Sequence, residues 1–441
     1  MMTRFRTIAL AVGMALSACA VYAGAGANGR EMTLQECISV ALFQHPNMAA
    51  SLGRVVEAKG QLGAAKGTKL PQVDFRIEAL RYDWLPPNKA KILGGGSTDV
   101  YSAVTLSKLL FSSGKAEANI DSASASLFAS KEDNRRIRQE VAFTVAESYY
   151  NLLKAQAILE AKTEAVRQME QHLKVAQEKL VVGKAAKLDV LRAEVQLADV
   201  TQARVAAGNQ VDVAKLQLLN AMGIGSSEHD IAIMDDRSPA ESVAEVGPLL
   251  ENTFKIHPGY LKSELLIRAA KSSLRAAKAD SGPDLSLVGS YNQEGRDIPK
   301  ITNWNAGLVV TVPIFTGGIT QSKVNQAKGV VAQYASSRDL VKQNITFAVR
   351  SAVLSTQDAA ERLKTTQKSL EQAREALAVA QEKYAAGMGS TTEVIDTQVA
   401  LTQAETNHAK ALYDGKIAAA QLEYAIGKDP AVSEKSGGYD Q

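Results

Sequence analysis

The stretch VAQEKLVVGKAAKLDVL, residues 175–191, returns 204 residues later as VAQEKYAAGMGSTTEVI, residues 379–395. Each copy reads as a glycine-punctuated turn at the end of a very long helix. Working outward, the match runs without a gap from LLFSSG (109–114) against PIFTGG (313–318) to Ala221-Met222-Gly223 against Ala425-Ile426-Gly427. Upstream it continues at another offset. His45-Pro46 pairs with His257-Pro258, Ala64-Ala65-Lys66 with Ala276-Ala277-Lys278 and Pro71 with Pro283, all 212 residues apart. The chain is an internal duplication whose offset changes by eight between residues 75 and 109.

Of 441 residues only 5% are aromatic, while 46% are hydrophobic and much of that is alanine. This suits long, closely packed helices better than a thick globular core. Fifty basic and 47 acidic side chains give +3, and loss of a leader carrying Arg4 and Arg6 leaves +1. Nothing in that balance points to a nucleic-acid partner. The N-terminus reads as an export signal: Arg4 and Arg6, an apolar run from Ile8 to Ala18, then small residues. Two processing sites compete. Cleavage after Ala23 makes 1–23 the signal peptide and Gly24 the first mature residue. Alternatively Leu16-Ser17-Ala18-Cys19 has the form of a lipoprotein box, with 1–18 removed and Cys19 lipidated. Cys37 lies in a helix-like run, so no disulfide framework is implied. Beyond the leader no apolar run approaches the roughly 18 residues of a spanning helix, so a membrane-embedded form would be built from strands.

Residues 33–66 carry helix signals, with Thr33 and Glu36 in capping-box spacing and a break at Pro46. QVDFRIEAL (72–80) then alternates, Val73, Phe75, Ile77 and Ala79 on one face against Gln72, Asp74, Arg76 and Glu78 on the other. A second strand follows from about 100 to 111. The second half repeats the pair: DLSLVGSYN (284–292), then Asn303 to Phe315 with Trp304, Ala306, Leu308, Val310 and Val312 on one face. A shorter connection in this half accounts for the changed offset. From Gly114 to about Val182 the composition is helical, with Leu152, Leu159, Val166, Leu173 and Leu180 at a seven-residue step and Ala155, Met169 and Ala176 between, copied as Leu363, Leu370, Leu377 and Tyr384. That repeat predicts a left-handed coiled coil, and the run predicts a rod about 100 Å long. A shorter helix returns over 188–220, and another covers 249–280. Stacked end to end, the two would lie along one long helix. The chain thus divides into a first repeat (24–222), an equatorial linker (223–248), a second repeat (249–427) and a polar C-terminal tail (428–441).

Four amphipathic strands cannot satisfy their own edges in lipid, so they are a fraction of a closed barrel. Two copies would give eight strands, a size that side chains fill, and three would give twelve, enough for an opening. Such a duct needs no catalytic chemistry, and no catalytic residue, cofactor or metal site is expected. The five histidines (His45, His172, His229, His257, His408) lie in no zinc-ligand spacing, and Gly94-Gly95-Gly96 lacks the lysine and helix of a phosphate site. Trp84, Tyr101, Tyr291 and Trp304 read either as an aromatic girdle at a lipid interface or as scattered strand aromatics.

Through TLQECISVALFQHPNM (33–48), VPIFTGG (312–318) and the paired glycine turns, the chain resembles the TolC-type outer membrane channels of bacterial efflux and type I secretion systems. The resemblance covers essentially the whole mature chain. It implies a mainly α fold with a small β part: a homotrimer with a twelve-stranded outer-membrane β-barrel continued by a periplasmic α-helical barrel. It also implies docking to a periplasmic adaptor (membrane fusion protein) and an inner-membrane transporter. The competing reading is a periplasmic coiled-coil scaffold outside the membrane, which does not need the four alternating strands.

The resemblance places adaptor contact at the tip turns of Gly183 and Gly387, which the residues alone explain as helix stops. It matches Tyr384 and Asp189 to residues whose hydrogen bond holds a periplasmic gate closed, and Glu393 and Asp396 to acidic rings at its entrance. Read alone, Ser390 and Glu393 are a capping box, Asp189 favours a helix N-terminus and Tyr384 fills a coiled-coil position. One departure stands out: the family pattern's arginine two residues after the second glycine is Gly389 here, so part of that latch is absent.

Overall fold

The computed structural model describes residues 31–84, 87, 89, 93, 98–225, 232–235, 246–295 and 301–430. The lipidation candidate Cys19, the leader, His229, most of the linker and most of the tail lie outside them. In order the elements are α1 (Leu34–Gln44), α2 (Pro46–Gly67), β1 (Gln72–Arg81), β2 (Thr98–Phe111), α3 (Lys115–Val181), α4 (Lys187–Ala221), α5 (Val246–Ile256), α6 (Pro258–Ala279), β3 (Asp284–Gly295), β4 (Ile301–Thr311), α7 (Ile319–Ala385) and α8 (Thr391–Ala425). The duplication survives to the residue in the helices: 11, 22, 67 and 35 residues in the first half, and the same four lengths in the second. The expected helix over 249–280 is instead two, α5 and α6. Pro258 has no N–H to carry the ladder past His257, whose own N–H still closes on the Thr253 carbonyl at 2.8 Å. Strand β4 stops at Thr311 instead of running to Phe315, because Pro313 cannot donate to a ladder and Gly317 and Gly318 turn the chain at positive φ.

One compact unit comprises the described residues of 51–134 and 258–343. Its sheet is antiparallel throughout, in the order β1-β2-β3-β4. The register puts Phe75 opposite Val104, Val104 opposite Tyr291 and Tyr291 opposite Trp304, so one face is a continuous apolar row. That face is bare in the protomer, with Phe75 69%, Trp304 72% and Leu308 64% exposed. The other face carries Glu78, Tyr101 and Glu294 in one row. Of the two readings of Tyr101, the register favours a scattered strand aromatic over a girdle: parity puts it on the polar face, where its hydroxyl meets Asn292 Oδ1 at 3.1 Å. Below the sheet, Asp280 joins Lys115 and Lys323, and these two ammonium groups hold its carboxyl below the usual range. Helix α6 lies along the start of α3 through Ser122 and Ser273 at 2.9 Å.

The other unit holds the described residues of 1–50, 135–257 and 344–441. Its core gathers Cys37, Ile38 and Ala41 of α1, Val145 and Leu152 of α3, Leu218 of α4 and Tyr413 of α8, all buried. The predicted box at α1 is formed, Glu36 N–H donating to Thr33 Oγ1 at 3.3 Å and Thr33 N–H to Glu36 at 2.9 Å. Tyr149 donates to the Met234 carbonyl at 2.5 Å, and Met32 bridges Ile233 in parallel. Both His-Pro breaks are seated on glycines that end helices. A Cβ on Gly223 would lie 2.7 Å from the His45 Cα, and one on Gly427 2.8 Å from the His257 Cα. His45 Nδ1 accepts the Asn47 N–H at 3.1 Å. Burial, aided by Arg135, pushes the His257 imidazole down to about 4. His257 is thus a neutral part of its helix break.

Candidate functional site

Two helix hairpins of this second unit end in the turns singled out by the repeat. After α3, Gly183 at φ +71° donates to the Leu180 carbonyl at 3.0 Å and Lys184 to Lys179 at 2.8 Å; after α7, Gly387 at φ +77° donates to Tyr384 at 3.2 Å and Met388 to Lys383 at 2.9 Å. Both are glycine-terminated stops that satisfy the last helical carbonyls. A Cβ at either glycine would meet nothing within 4 Å. The residues around them are apolar and bare: Val181 is 87% exposed, Met388 79% and Leu188 55%.

The return helices start differently. Ser390 and Glu393 exchange both bonds of a capping box, each 3.2 Å. In the first hairpin the equivalent residue is Ala186, with no side-chain oxygen, so only half the box exists: the Ala186 N–H donates to Asp189 at 3.1 Å. Glu393 and Asp396 follow one helical step apart, both exposed. Glu393 also lines an open groove between α7 and α8 with Glu375, Lys383 and Thr397.

Tyr384 sits where the sequence pattern put it, in the seam of α7 and α8 with Leu370, Leu377, Ala380, Val394 and Leu401. Its hydroxyl accepts from Thr391 Oγ1 at 3.3 Å. Its phenol is thus bonded inside its own hairpin, and the Asp189 carboxylate is bonded inside the other. Contact between the hairpins runs instead through groups that sequence reasoning passed over. The Lys179 ammonium lies 3.8 Å above the Tyr384 ring and donates to the Tyr384 carbonyl. The His172 ring stands 5.1 Å from the same ring, and Arg192 donates to Thr392 Oγ1 at 3.0 Å. His172 had a legible signal: it falls three residues after Met169 and four before Ala176, both buried, which makes it a titratable group at a core position. Gly389, the departure from the family pattern, has a steric cause, since a Cβ there would come within 3.0 Å of the Tyr384 nitrogen. Arg192 brings a guanidinium to the same turn from the opposite hairpin.

No helix among the described residues is long and apolar enough to cross a membrane, and none of their His, Cys, Asp and Glu side chains form a group that could hold a metal ion. The profile described as outer membrane efflux protein matches residues 37–224 and 252–428, taking in both repeats. The outer membrane protein TolC of Vibrio cholerae is 27% identical over 306 residues, 66% of this chain and 68% of that one. A probable outer membrane lipoprotein, SilC of Salmonella typhimurium, is 23% identical over 405 residues, 88% and 84% of the two chains. In three dimensions the outer membrane protein VceC from Vibrio cholerae superposes with a TM-score of 0.77 at 17% identity, covering 89% of this chain and 96% of that one. The mainly helical fold with a small four-stranded sheet and the TolC-type resemblance are both borne out, and the scaffold reading is not favoured. The chain belongs to the outer membrane efflux protein family, passive channels of the bacterial outer membrane with a helical part in the periplasm, and serves as an exit duct.

Proposed function

We propose that the working form is a homotrimer in which three four-stranded sheets close one twelve-stranded barrel, serving a periplasmic adaptor and an inner-membrane transporter of an efflux or type I secretion system. The observation that carries this is the sheet. Its apolar face is exposed and its outer strands are β1 and β4, so a single copy in lipid would leave two rows of unpaired backbone groups, each costing several kcal/mol. Three copies remove every edge and leave a lumen lined by the Glu78, Tyr101 and Glu294 face. Membrane fractionation followed by an unboiled gel tests it: a heat-sensitive species of three chains is expected, and release by salt alone would overturn it.

Within that reading the tips at Gly183 and Gly387 are the adaptor's docking points. Bare valine, leucine and methionine side chains beside unobstructed glycines suit an incoming apolar hairpin. Tyr384 and Asp189 belong to the periplasmic gate, with Glu393 and Asp396 repeated three times around its entrance, where paired carboxylates favour cations. If Cys19 is acylated, as its box and the name of SilC suggest, each buried methylene adds about 0.8 kcal/mol to anchoring. Intact mass of the mature chain decides between acylated Cys19 and a start at Gly24.

A further inference from the structure

His172 of α3 is 8% exposed, and its Nε2 has no hydrogen-bond partner among the described residues. A buried imidazole left without a partner is costly unless it remains neutral. Its ring lies against Tyr384 of α7, at 5.1 Å and tilted by 50°, while Lys179 covers the same phenol at 3.8 Å. The aromatic ring is therefore gripped by two groups of the first hairpin, one already cationic and one able to become so. Among the described residues the charged and titratable groups that face His172 are Lys179 of its own helix, Asp189 of α4 and the Tyr384 phenol of α7. Thr391 of α8, bonded to that phenol, is uncharged.

We propose that His172 is an acid-released latch between the two hairpins: neutral, it packs on Tyr384 beside Lys179; protonated, it places a second cation in the buried contact and undocks α3 from α7. The functional consequence rests on the reading of these tips as the gate, which acid would then open. Burial, with Lys179 adding to it and Asp189 opposing, holds the imidazole below its ordinary 6.5. A base whose docked value is depressed leaves the docked state at full strength above the ordinary value. Docking then weakens by at most about tenfold per pH unit for each imidazole as the pH falls below it.

The test uses the full-length protein in a planar bilayer between about pH 8 and about pH 5. Conductance of the wild type should rise as the pH falls, His172→Gln should lose that rise, and Lys179→Met, which removes the charge that opposes protonation in the docked contact, should make the rise smaller. A second readout follows undocking itself: the distance between spin labels at Leu188→Cys and Met388→Cys in a Cys37→Ser background. It should grow with acid in the wild type and stay constant in His172→Gln. The same label response in both, or none in either, overturns the latch. A label response that needs His172, together with wild-type conductance in Tyr384→Phe at every pH, would remove the gate and leave the latch standing.

Discussion

Four helices of this chain end on a glycine at nearly the same backbone angle, Gly183 and Gly387 at the tips with φ +71° and +77°, and Gly223 and Gly427 beside the His-Pro breaks with φ +73° and +75°. The hydrogen bonds match as well, each glycine donating to the carbonyl three residues back and its successor to the one five back. What differs is the surroundings. At the tips the space beside the glycine is open and the next residues are Lys184 and Met388. Beside the breaks that space is filled by the backbone of His45 or His257, and Ile224 packs on the core. One turn chemistry thus serves two settings: an open surface at the tips, and a lock between helices of one chain. The comparison separates substitutions that should spare folding from those that should not.

The sharpest separation is functional. A large side chain at Gly387, as in Gly387→Trp, strains φ by about 1–2 kcal/mol but meets no neighbour, so trimers should persist in the membrane. Transport by the assembled system should nevertheless be abolished, because the indole fills the space assigned to the adaptor. Normal export by that variant would detach the tips from docking.

The energetic counterpart follows. Gly427→Ala and Gly223→Ala add backbone overlap to the same strain and should cost about 3 kcal/mol each, against about 1 kcal/mol for Gly183→Ala. The thermal midpoint of heat-induced trimer loss on gels reads the difference. Equal shifts at all four positions would show that conformation alone matters and that the histidine contacts yield.

Charge and hydroxyl at the second tip come next. Tyr384→Phe removes the acceptor of the Thr391 hydroxyl inside a buried seam and should raise single-channel conductance. Glu393→Gln keeps an oxygen for the Ser390 N–H, so combining it with Asp396→Asn removes charge while sparing the cap. Cation selectivity and block by trivalent cations should both fall. Wild-type values for both would return these residues to cap and core.

How far these effects could be foreseen differs by region. The duplication and the paired strands were legible because each is a local pattern repeated at a fixed offset, and both capping boxes because each is a spacing of three residues within one turn. Tyr101 stayed between two readings because the faces of β2 are decided by its register with β1 and β3. Near the first tip the seven-residue step ran through Leu173 and Leu180 with Met169 and Ala176 between; Met169 and Ala176 are buried as that pattern has them, but His172 is buried beside them and Leu180 is exposed. On an alanine-rich helix two adjacent stripes can satisfy the same period, and only the packing partner chooses between them. Lys179 was invisible for a related reason: a lysine at a helix end reads as solvated until an aromatic ring is found beneath it.

The smallest expected effect compares the two tips directly. The second return helix opens with a complete box, Ser390 with Glu393, and the first with Ala186 and Asp189, where the Asp189 N–H has no hydroxyl to donate to and bonds to the Ala186 carbonyl at 3.0 Å. Ser390→Ala should cost about 1 kcal/mol, and Ala186→Ser, adding an acceptor where the backbone is already extended at φ −82°, should gain about 0.5 kcal/mol. Hydrogen exchange of the first-turn amides at each tip measures both. Protection at Asp189 should rise in Ala186→Ser without change at Glu393. If that gain is accompanied by slower acid release of the hairpins, the missing serine keeps the first tip loose enough to move; if protection rises and release is untouched, the two hairpins differ in capping without differing in role.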